Sequence, residues 1–166
     1  MSVSRWHRIY SVRIAAAPQV LFDLLADLPD YGRWLPGSES FGSTTDVEPY
    51  PVQPGTRYRD GKPGEAGRDW QGTVTGFQPP GSLDFHQVIP VPQLRGSVDV
   101  HVHYTLEPED GGTRVERWLI LDVAVPLPLR PLRAAVTSRF DKENVRLLAA
   151  LKQYAERAGD HDDRAA

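Results

Sequence analysis

The stretch AAPQVLFDLL at residues 16–25, followed by YGRWLP at residues 31–36, decides the predicted fold because it interrupts a chain of strand-like segments. Pro18 suits the first turn of a helix, where its missing N–H is not needed. Four apolar residues then recur at helical spacing: Val20, Leu21, Leu24 and Leu25. A second short helix is predicted to begin at Pro29 and to end at the Pro36-Gly37 pair. The sequence therefore predicts two short helices directly after the first strand.

Outside this stretch the hydrophobic period is two, which predicts β-strands. The first strand covers residues 6–14, and six more are predicted at 38–48, 55–60, 68–78, 82–89, 96–107 and 113–125. Turns rich in Pro and Gly separate these six strands, and such short links indicate an antiparallel meander. A long helix is predicted over residues 132–158, with an apolar face formed by Val136, Phe140, Leu147, Leu148, Leu151, Tyr154 and Ala155.

The strand at residues 96–107 shows why these elements must pack together. Its alternate residues form one apolar face: Val98, Val100, Val102, Tyr104 and Leu106. That face needs a cover, and the long helix is the only long element available. We therefore predict an α+β fold in which a strongly curved antiparallel sheet of six to seven strands wraps around the C-terminal helix. The gap between them is the predicted site for an apolar ligand, and the alternative is that side chains fill it.

The length and composition of the chain exclude several classes of protein and several kinds of site. A chain of 166 residues predicts a single domain over residues 1–158, with a disordered charged tail at 159–166. The absence of cysteine excludes disulfides, iron–sulfur clusters and a cysteine nucleophile. A net charge of -3 gives no reason to expect nucleic acid as a partner. We recognise neither a transmembrane segment nor a signal peptide, so a cytoplasmic protein is expected. No cofactor is predicted, and the oligomeric state is left open.

Four motifs in a fixed order carry a resemblance to a known superfamily. They are the helix start at Ala17-Pro18, the turn Tyr31-x-x-Trp34-x-Pro36, the hairpin over residues 106–115 and the ending over residues 144–152. Over residues 6–157 the chain resembles the SRPBCC superfamily, which has the helix-grip fold. This superfamily includes START lipid-transfer domains, the birch pollen allergen group and bacterial polyketide cyclase/dehydrases. The resemblance implies a cavity for a hydrophobic or aromatic small-molecule ligand, but it does not imply a reaction.

Aromatic and polar residues on the predicted inner faces are the candidate ligand-binding residues. Aromatic walls suit a flat or apolar ligand, and a buried Tyr or Trp keeps a polar handle. Nine residues are predicted to contact the ligand: Trp34, Phe41, Tyr58, Trp70, Phe85, Tyr104, Arg117, Phe140 and Asn144. Trp34 and Phe41 are expected at the mouth of the cavity. Asn144 either orients a ligand oxygen, or bonds to core backbone, or points to solvent.

Arg117 lies in the last predicted strand, where the register is ambiguous. Period two places it on the inner face with Val115 and Leu119, where its charge needs a partner such as a ligand carboxylate or enolate. However, Trp118 and Ile120 make the other phase of this strand apolar as well. The preferred interpretation is an Arg117 side chain that extends to the cavity mouth.

A histidine-rich face on the strand at residues 96–107 raises the question of a metal site. Asp99, His101 and His103 share this face, and a hairpin with residues 82–89 places His86 near Asp99 and Asp84 near His101. Such groups can ligate zinc, but their face is the solvent side of the predicted sheet. Donors that are two apart on one strand also splay away from one another. Solvated His–Asp pairs are therefore the preferred interpretation, and no metal site is predicted.

The sequence leaves three functions open. No nucleophile–base pair or phosphate-binding loop stands out, and the glycine-rich segment at residues 61–67 is interpreted as a mobile loop or lid. The favoured function is binding or transport of a lipid, quinone or polyketide-like molecule. The alternative is a cyclase/dehydratase that assists aldol closure and water loss in such a molecule. A third hypothesis is a chaperone-like interaction protein. An inward-facing histidine or carboxylate would favour the enzyme, and the sequence does not locate one.

Overall fold

A computed structural model of the chain describes residues 1–61 and 69–165. Residues 62–67, most of the segment interpreted as a lid, lie outside the described residues. The strands are β1 Ser2–Ile14, β2 Ser43–Glu48, β3 Arg57–Gly61, β4 Asp69–Gln78, β5 Ser82–Val91, β6 Gly96–Glu109 and β7 Gly112–Val125. The α-helices are α1 Pro18–Ala26 and α2 Arg133–Ala165. Three 3₁₀ segments complete the order: Leu28–Arg33, Pro92–Leu94 and Leu127–Leu132.

The seven strands form one antiparallel sheet in the order β1-β7-β6-β5-β4-β3-β2. Strands β2 to β7 are neighbours in chain order and form the predicted meander. The first strand, β1, pairs with the last strand, β7. The second predicted helix is the 3₁₀ segment Leu28–Arg33 rather than an α-helix. The predicted α+β fold, with a curved sheet and a long C-terminal helix across it, is confirmed.

A two-residue turn sets the register between β6 and β7. Glu109 pairs with Gly112, and the residues between them, Asp110 and Gly111, have φ angles of 42° and 76°. Positive φ at both central positions is the geometry of a type I′ turn, whose twist matches that of the flanking strands. The hairpin that the sequence indicated over residues 106–115 is present, and its turn determines which β7 side chains face inward.

The inner face of the sheet is apolar along its longest strands. On β6 all five predicted inner residues are buried: Val98, Val100, Val102, Tyr104 and Leu106. On β7 the buried apolar residues are Val115, Leu119, Leu121, Val123 and Val125. Arg117 lies on the same face of β7 as these residues, so its side chain faces inward. This settles which face of β7 is the inner one, which the sequence left ambiguous. On α1, Val20 is 48% exposed, contrary to the prediction, and Phe22 is buried instead, with its ring edge-on to Phe77.

Helix α2 is fastened to β1 by polar contacts along its length. The Tyr10 hydroxyl donates to the Asp141 carboxylate at 2.7 Å. Nearer the end of the helix, the Glu156 carboxylate accepts a hydrogen bond from the backbone N–H of Ala15 at 3.0 Å. The helix therefore packs directly on the β1 and β7 side of the sheet, while α1 packs against β5 and β6.

Helix α2 is also longer than predicted. It follows the 3₁₀ segment Leu127–Leu132 and continues past residue 158, the end of the predicted helix, to Ala165. The division of the chain into a domain at residues 1–158 and a disordered tail at 159–166 stays a prediction. No helix among the described residues is long and apolar enough to cross a membrane.

We expect Leu151→Ala to lower the free energy of unfolding by about 2–5 kcal/mol, because Leu151 on α2 is fully buried and its truncation leaves a void. Val145 on the same helix is 56% exposed, so Val145→Ala should change that free energy by less than about 0.5 kcal/mol. Urea denaturation of both variants measures the difference. Equal effects of the two substitutions would contradict the packing of the Leu151 face of α2 against the sheet.

Candidate ligand-binding site

A cavity of about 730 Å³ lies between the inner face of the sheet and α2. Side chains of β3 to β7 form its floor, and α2 forms its roof from Ala135 to Leu147. The lining surface is mainly apolar. Binding sites for small molecules typically enclose about 300–1,000 Å³ and have a similar lining. The gap between sheet and helix is therefore open and large enough for a small-molecule ligand.

Eight of the nine predicted ligand-binding residues line this cavity: Phe41, Tyr58, Trp70, Phe85, Tyr104, Arg117, Phe140 and Asn144. Trp34 does not line it. Trp34 is 3% exposed, its indole Nε1–H donates to the backbone oxygen of Leu24 at 3.2 Å, and its ring packs edge-on to that of Tyr31. Trp34 thus braces the two short helical segments, while Tyr31 and Leu35 reach the cavity. Contact of the eight residues with a ligand stays a prediction.

Three aromatic rings form a continuous wall across β3, β5 and β6. The Phe85 ring is edge-on to the rings of Tyr58 and Tyr104, with centroids 5.9 Å and 6.2 Å away. Tyr58 faces Gly72 on β4, where a Cβ atom would lie only 2.2 Å from the Tyr58 ring. Gly72 therefore permits the Tyr58 ring to lie flat over the neighbouring strand. Edge-to-face packing holds this wall in one arrangement before any ligand enters.

Arg117 lies inside the cavity among buried groups. Its Nε donates to Asn144 Oδ1 and its Nη1 donates to the Tyr104 hydroxyl. The guanidinium carbon also lies 4.8 Å from the centroid of the Tyr104 ring. Asn144 in turn donates to the backbone oxygen of Phe140 at 2.7 Å, so the amide bonds both to the helix and to Arg117. Because Tyr104 and Asn144 are buried, Arg117 points into the interior, whereas we expected it to extend to the mouth.

Two carboxylates that were not among the predicted site residues line the cavity, those of Glu143 on α2 and Asp60 on β3. Thr44 Oγ1 donates to Asp60 Oδ1 at 2.6 Å, and Gln87 Nε2 donates to Asp60 Oδ2. Gln87 Nε2 also donates to the Tyr58 hydroxyl at 3.0 Å. The alternation of side chains along β3 could have located Asp60. Asp60 is two residues after Tyr58, which was predicted to face inward, so both lie on the same face of the strand. The inward-facing carboxylate that the sequence did not locate is therefore present.

Burial sets the protonation of the polar groups in the cavity. It raises the pKa of Asp60 to about 6, although hydrogen bonds from Thr44 and Gln87 and the charge of Arg117 act in the opposite direction. Burial also raises the pKa of Tyr104, against the opposing influence of Arg117. Near neutral pH the Tyr104 hydroxyl is thus a neutral phenol, whereas Asp60 changes between its two protonation states about one pH unit below neutrality.

Other cations at the cavity edge are engaged with the loop at residues 36–41. Arg139 Nε donates to Ser40 Oγ at 2.7 Å, and Arg146 Nη1 donates to the backbone oxygen of Pro36 at 2.6 Å. Arg146 is also paired with Glu143 at 2.9 Å. These contacts hold the loop against α2, so the two rim arginines close one edge of the cavity while Arg117 lies within it.

Three histidines, His86, His101 and His103, lie on the outer face of the sheet, away from the cavity. The predicted proximity of His86 and Asp99 is confirmed, because His86 Nε2 lies 2.7 Å from Asp99 Oδ1. The predicted Asp84–His101 pair is wrong. Asp84 faces His103 and contacts its Nδ1, whereas His101 faces His86. The actual register thus differs by two residues from the one we expected.

The sequence matches the family described as polyketide cyclase/dehydrase and lipid transport over residues 7–156. None of the curated proteins matches the sequence. Among solved structures, the Zhui aromatase/cyclase from a Streptomyces species is 18% identical, with a TM-score of 0.70 over 93% of this chain and 95% of that chain.

Two further solved structures are similar. Norcoclaurine synthase from Thalictrum flavum is 11% identical, with a TM-score of 0.66 over 93% of this chain and 95% of that chain. The protein Ara h 8.0201 is 15% identical, with a TM-score of 0.65 over 92% of this chain and 98% of that chain. Identities this low show the fold alone. Together with the family match, they confirm the resemblance to the SRPBCC superfamily that the sequence motifs indicated.

We expect the Asp60 carboxyl to titrate in the folded protein with a midpoint near pH 6, as the raised pKa requires. The unfolded chain releases this proton at a lower pH, so the stability that the proton contributes is lost as the pH rises through about 6. Asp60→Asn should therefore be more stable than wild type by about 1–3 kcal/mol at about pH 8 and show no such gain at about pH 3. Carboxyl ¹³C NMR and denaturation at the two pH values measure these effects.

Asp23→Asn is the control for this titration, because Asp23 is an exposed carboxylate on α1, bonded to Gln19 at 2.7 Å. It should not reproduce the pH-dependent gain. A wild-type Asp60 midpoint near that of an ordinary aspartate, about 3.9, would show that Asp60 is solvated rather than buried in the cavity wall.

Proposed function

We propose that this chain, which belongs to the polyketide cyclase/dehydrase and lipid transport family, binds a hydrophobic or aromatic small molecule in the cavity between the sheet and α2. In this proposal Arg117 orients the molecule by donating hydrogen bonds to one of its oxygens. The rings of Tyr58, Phe85 and Phe140 pack against its apolar part. The observation that carries the proposal is the guanidinium of Arg117 inside a mainly apolar cavity.

The partners of Arg117 support this role. Its hydrogen bonds go to the Asn144 amide and to the Tyr104 hydroxyl, which are both neutral groups. Within residues 1–61 and 70–160, no carboxylate forms an ion pair with Arg117, although the charge of Arg117 lowers the pKa of Asp60 from a distance. A ligand oxygen with negative charge would form a charge-assisted hydrogen bond here, about twice as strong as a neutral one. The cavity therefore suits an apolar molecule with a carbonyl, carboxylate or phenolate oxygen.

We expect the fluorescent probe anilinonaphthalene sulfonate, an aromatic anion, to bind in this cavity. Arg117→Gln should weaken its binding by about tenfold or more. The physical reason is the loss of a hydrogen bond to a charged group, which is worth about 1.5–3 kcal/mol, while about 1.4 kcal/mol corresponds to tenfold in affinity. Fluorescence titration of the native protein measures the dissociation constants.

Arg114→Gln is the matched control for this titration. Arg114 lies on the same strand, but it is exposed and paired with Glu107 at 3.0 Å, so its removal should leave probe binding unchanged. Equal affinities of Arg117→Gln and Arg114→Gln would contradict the role of Arg117. Absence of saturable binding to wild type would contradict the ligand cavity itself. Native mass spectrometry of freshly purified protein, followed by extraction, identifies a natural molecule that the cavity retains.

A second function, a cyclase/dehydratase reaction on a polyketide-like chain, is favoured by the Asp60 carboxyl in the cavity lining. A pKa of about 6 allows Asp60 to act as a base and then as an acid near neutral pH. In this mechanism Asp60 removes a proton from a carbon between two carbonyl groups, and Arg117 stabilises the enolate oxygen. The enolate carbon attacks a second carbonyl, Asp60 returns the proton to the resulting alkoxide, and loss of water follows.

For this second function we expect Asp60→Asn to slow the closure of a synthetic linear poly-β-ketone by about 10²–10⁴-fold, which is the usual contribution of general acid–base catalysis. Absorbance of the conjugated product follows the reaction. Asp23→Asn should retain the wild-type rate. An Asp60→Asn variant with an unchanged rate would exclude the catalytic function, while the binding function depends on Arg117 and would stand.

A further inference from the structure

We propose that the outer face of the sheet carries a binding site for a transition metal ion such as Zn²⁺, formed by His86, Asp99 and His101. One donor atom from each of these side chains lies within 4.8 Å of the other two. The three residues belong to the neighbouring strands β5 and β6 and point away from the cavity, so this site is separate from the proposed ligand site. Two imidazoles and a carboxylate are a donor set that suits Zn²⁺, with the fourth position open to water.

The two imidazoles already converge on a single oxygen. His86 Nε2 lies 2.7 Å and His101 Nε2 lies 3.1 Å from the same Oδ1 atom of Asp99. In a tetrahedral zinc site with bonds of about 2.0 Å, neighbouring ligand atoms are about 3.3 Å apart. These two contacts therefore need to open by only a few tenths of an ångström, about 0.2–0.6 Å, to admit an ion. Each Nε2 then offers its lone pair to the ion, and the proton of the neutral ring is on Nδ1.

The sheet prearranges the two histidine rings. His86 and His101 face each other directly in the β5–β6 register. Their rings are stacked, with centroids 4.4 Å apart and planes only 17° from parallel. Within this set only Asp99 and His101 are two apart on one strand, where donors are expected to splay, yet His101 Nε2 lies 3.1 Å from Asp99 Oδ1. His86 and His101 belong to different strands, and their stacked rings lie side by side.

The site is open to solvent, and its side chains are free to adjust. The exposed side-chain fractions are 33% for His86, 43% for Asp99 and 51% for His101. Asp122 faces Asp99 from β7 and binds Arg5 through both oxygens, at 2.9 Å and 2.7 Å. The guanidinium of Arg5 is therefore already paired with the carboxylate of Asp122, and the charge of Asp99 is left available to a cation.

The test is a zinc titration of the full chain without a polyhistidine tag, in competition with a chromophoric zinc chelator. We expect wild type to take up one equivalent of Zn²⁺. His86→Gln and His101→Gln should each weaken binding by at least about tenfold, because even outer partners of metal ligands contribute about 10–100-fold. NMR of the histidine rings should show zinc-dependent shifts of His86 and His101.

His103→Gln is the matched control. His103 lies on the same face of β6, but its partner is Asp84 and it is not one of the three donors, so this variant should keep the wild-type zinc affinity. Absence of saturable zinc binding to wild type would overturn the proposal. It would also be overturned if His86→Gln and His101→Gln bound zinc as wild type does, or if His103→Gln alone lost the ion. Neither result bears on Arg117 and the cavity.

Discussion

One helix covers a sheet that is much wider than itself, and this difference in width determines the interior of the molecule. Seven strands at a spacing of about 4.8 Å span about 29 Å, whereas a helix with its side chains is about 10–12 Å across. Contacts from Tyr10 and Ala15 hold α2 over the β1 side. The rest of the inner face curves around a volume that α2 does not fill, and the cavity occupies that volume.

Polar groups that are buried in such an interior need hydrogen-bond partners, because burial without a partner costs free energy. Arg117 does so with Asn144 and Tyr104, which come from the roof and the floor of the cavity. Asp60 does so at the other end of the sheet, where Thr44 donates to it. The charge of Arg117 is positive and that of Asp60 is negative, and each charged side chain is hydrogen-bonded to neutral side chains. A ligand therefore meets polar groups that are already in place, and less of its binding energy is lost in ordering them.

Hydrophobic period two was sufficient to predict the long strands, and it is clearest on β6, whose inner phase from Val98 to Leu106 is continuously apolar. The same period of two also indicated that the Arg117 side chain faces inward. It failed for Asp60 because β3 has only five residues, and Asp60 stands directly before the glycine-rich segment, so the sequence there resembles a turn. Trp34 was misplaced for another reason. Its position depends on a hydrogen bond to the backbone of Leu24, and no side-chain periodicity encodes the angle between two short helical segments.

The register of β5 and β6 shows why faces are easier to predict than partners. Our expectation paired Asp84 with His101 instead of His103, an error of two residues, and an even shift keeps every side chain on its correct face. An odd shift would exchange the cavity wall with the histidine face. Gly96, the first residue of β6, opposes such a shift of β6 against β7. A Cβ atom there would lie 2.1 Å from the backbone oxygen of Ala124, so only glycine fits this approach to β7. The same glycine thus keeps Tyr104 of β6 inside and His101 and His103 of β6 outside.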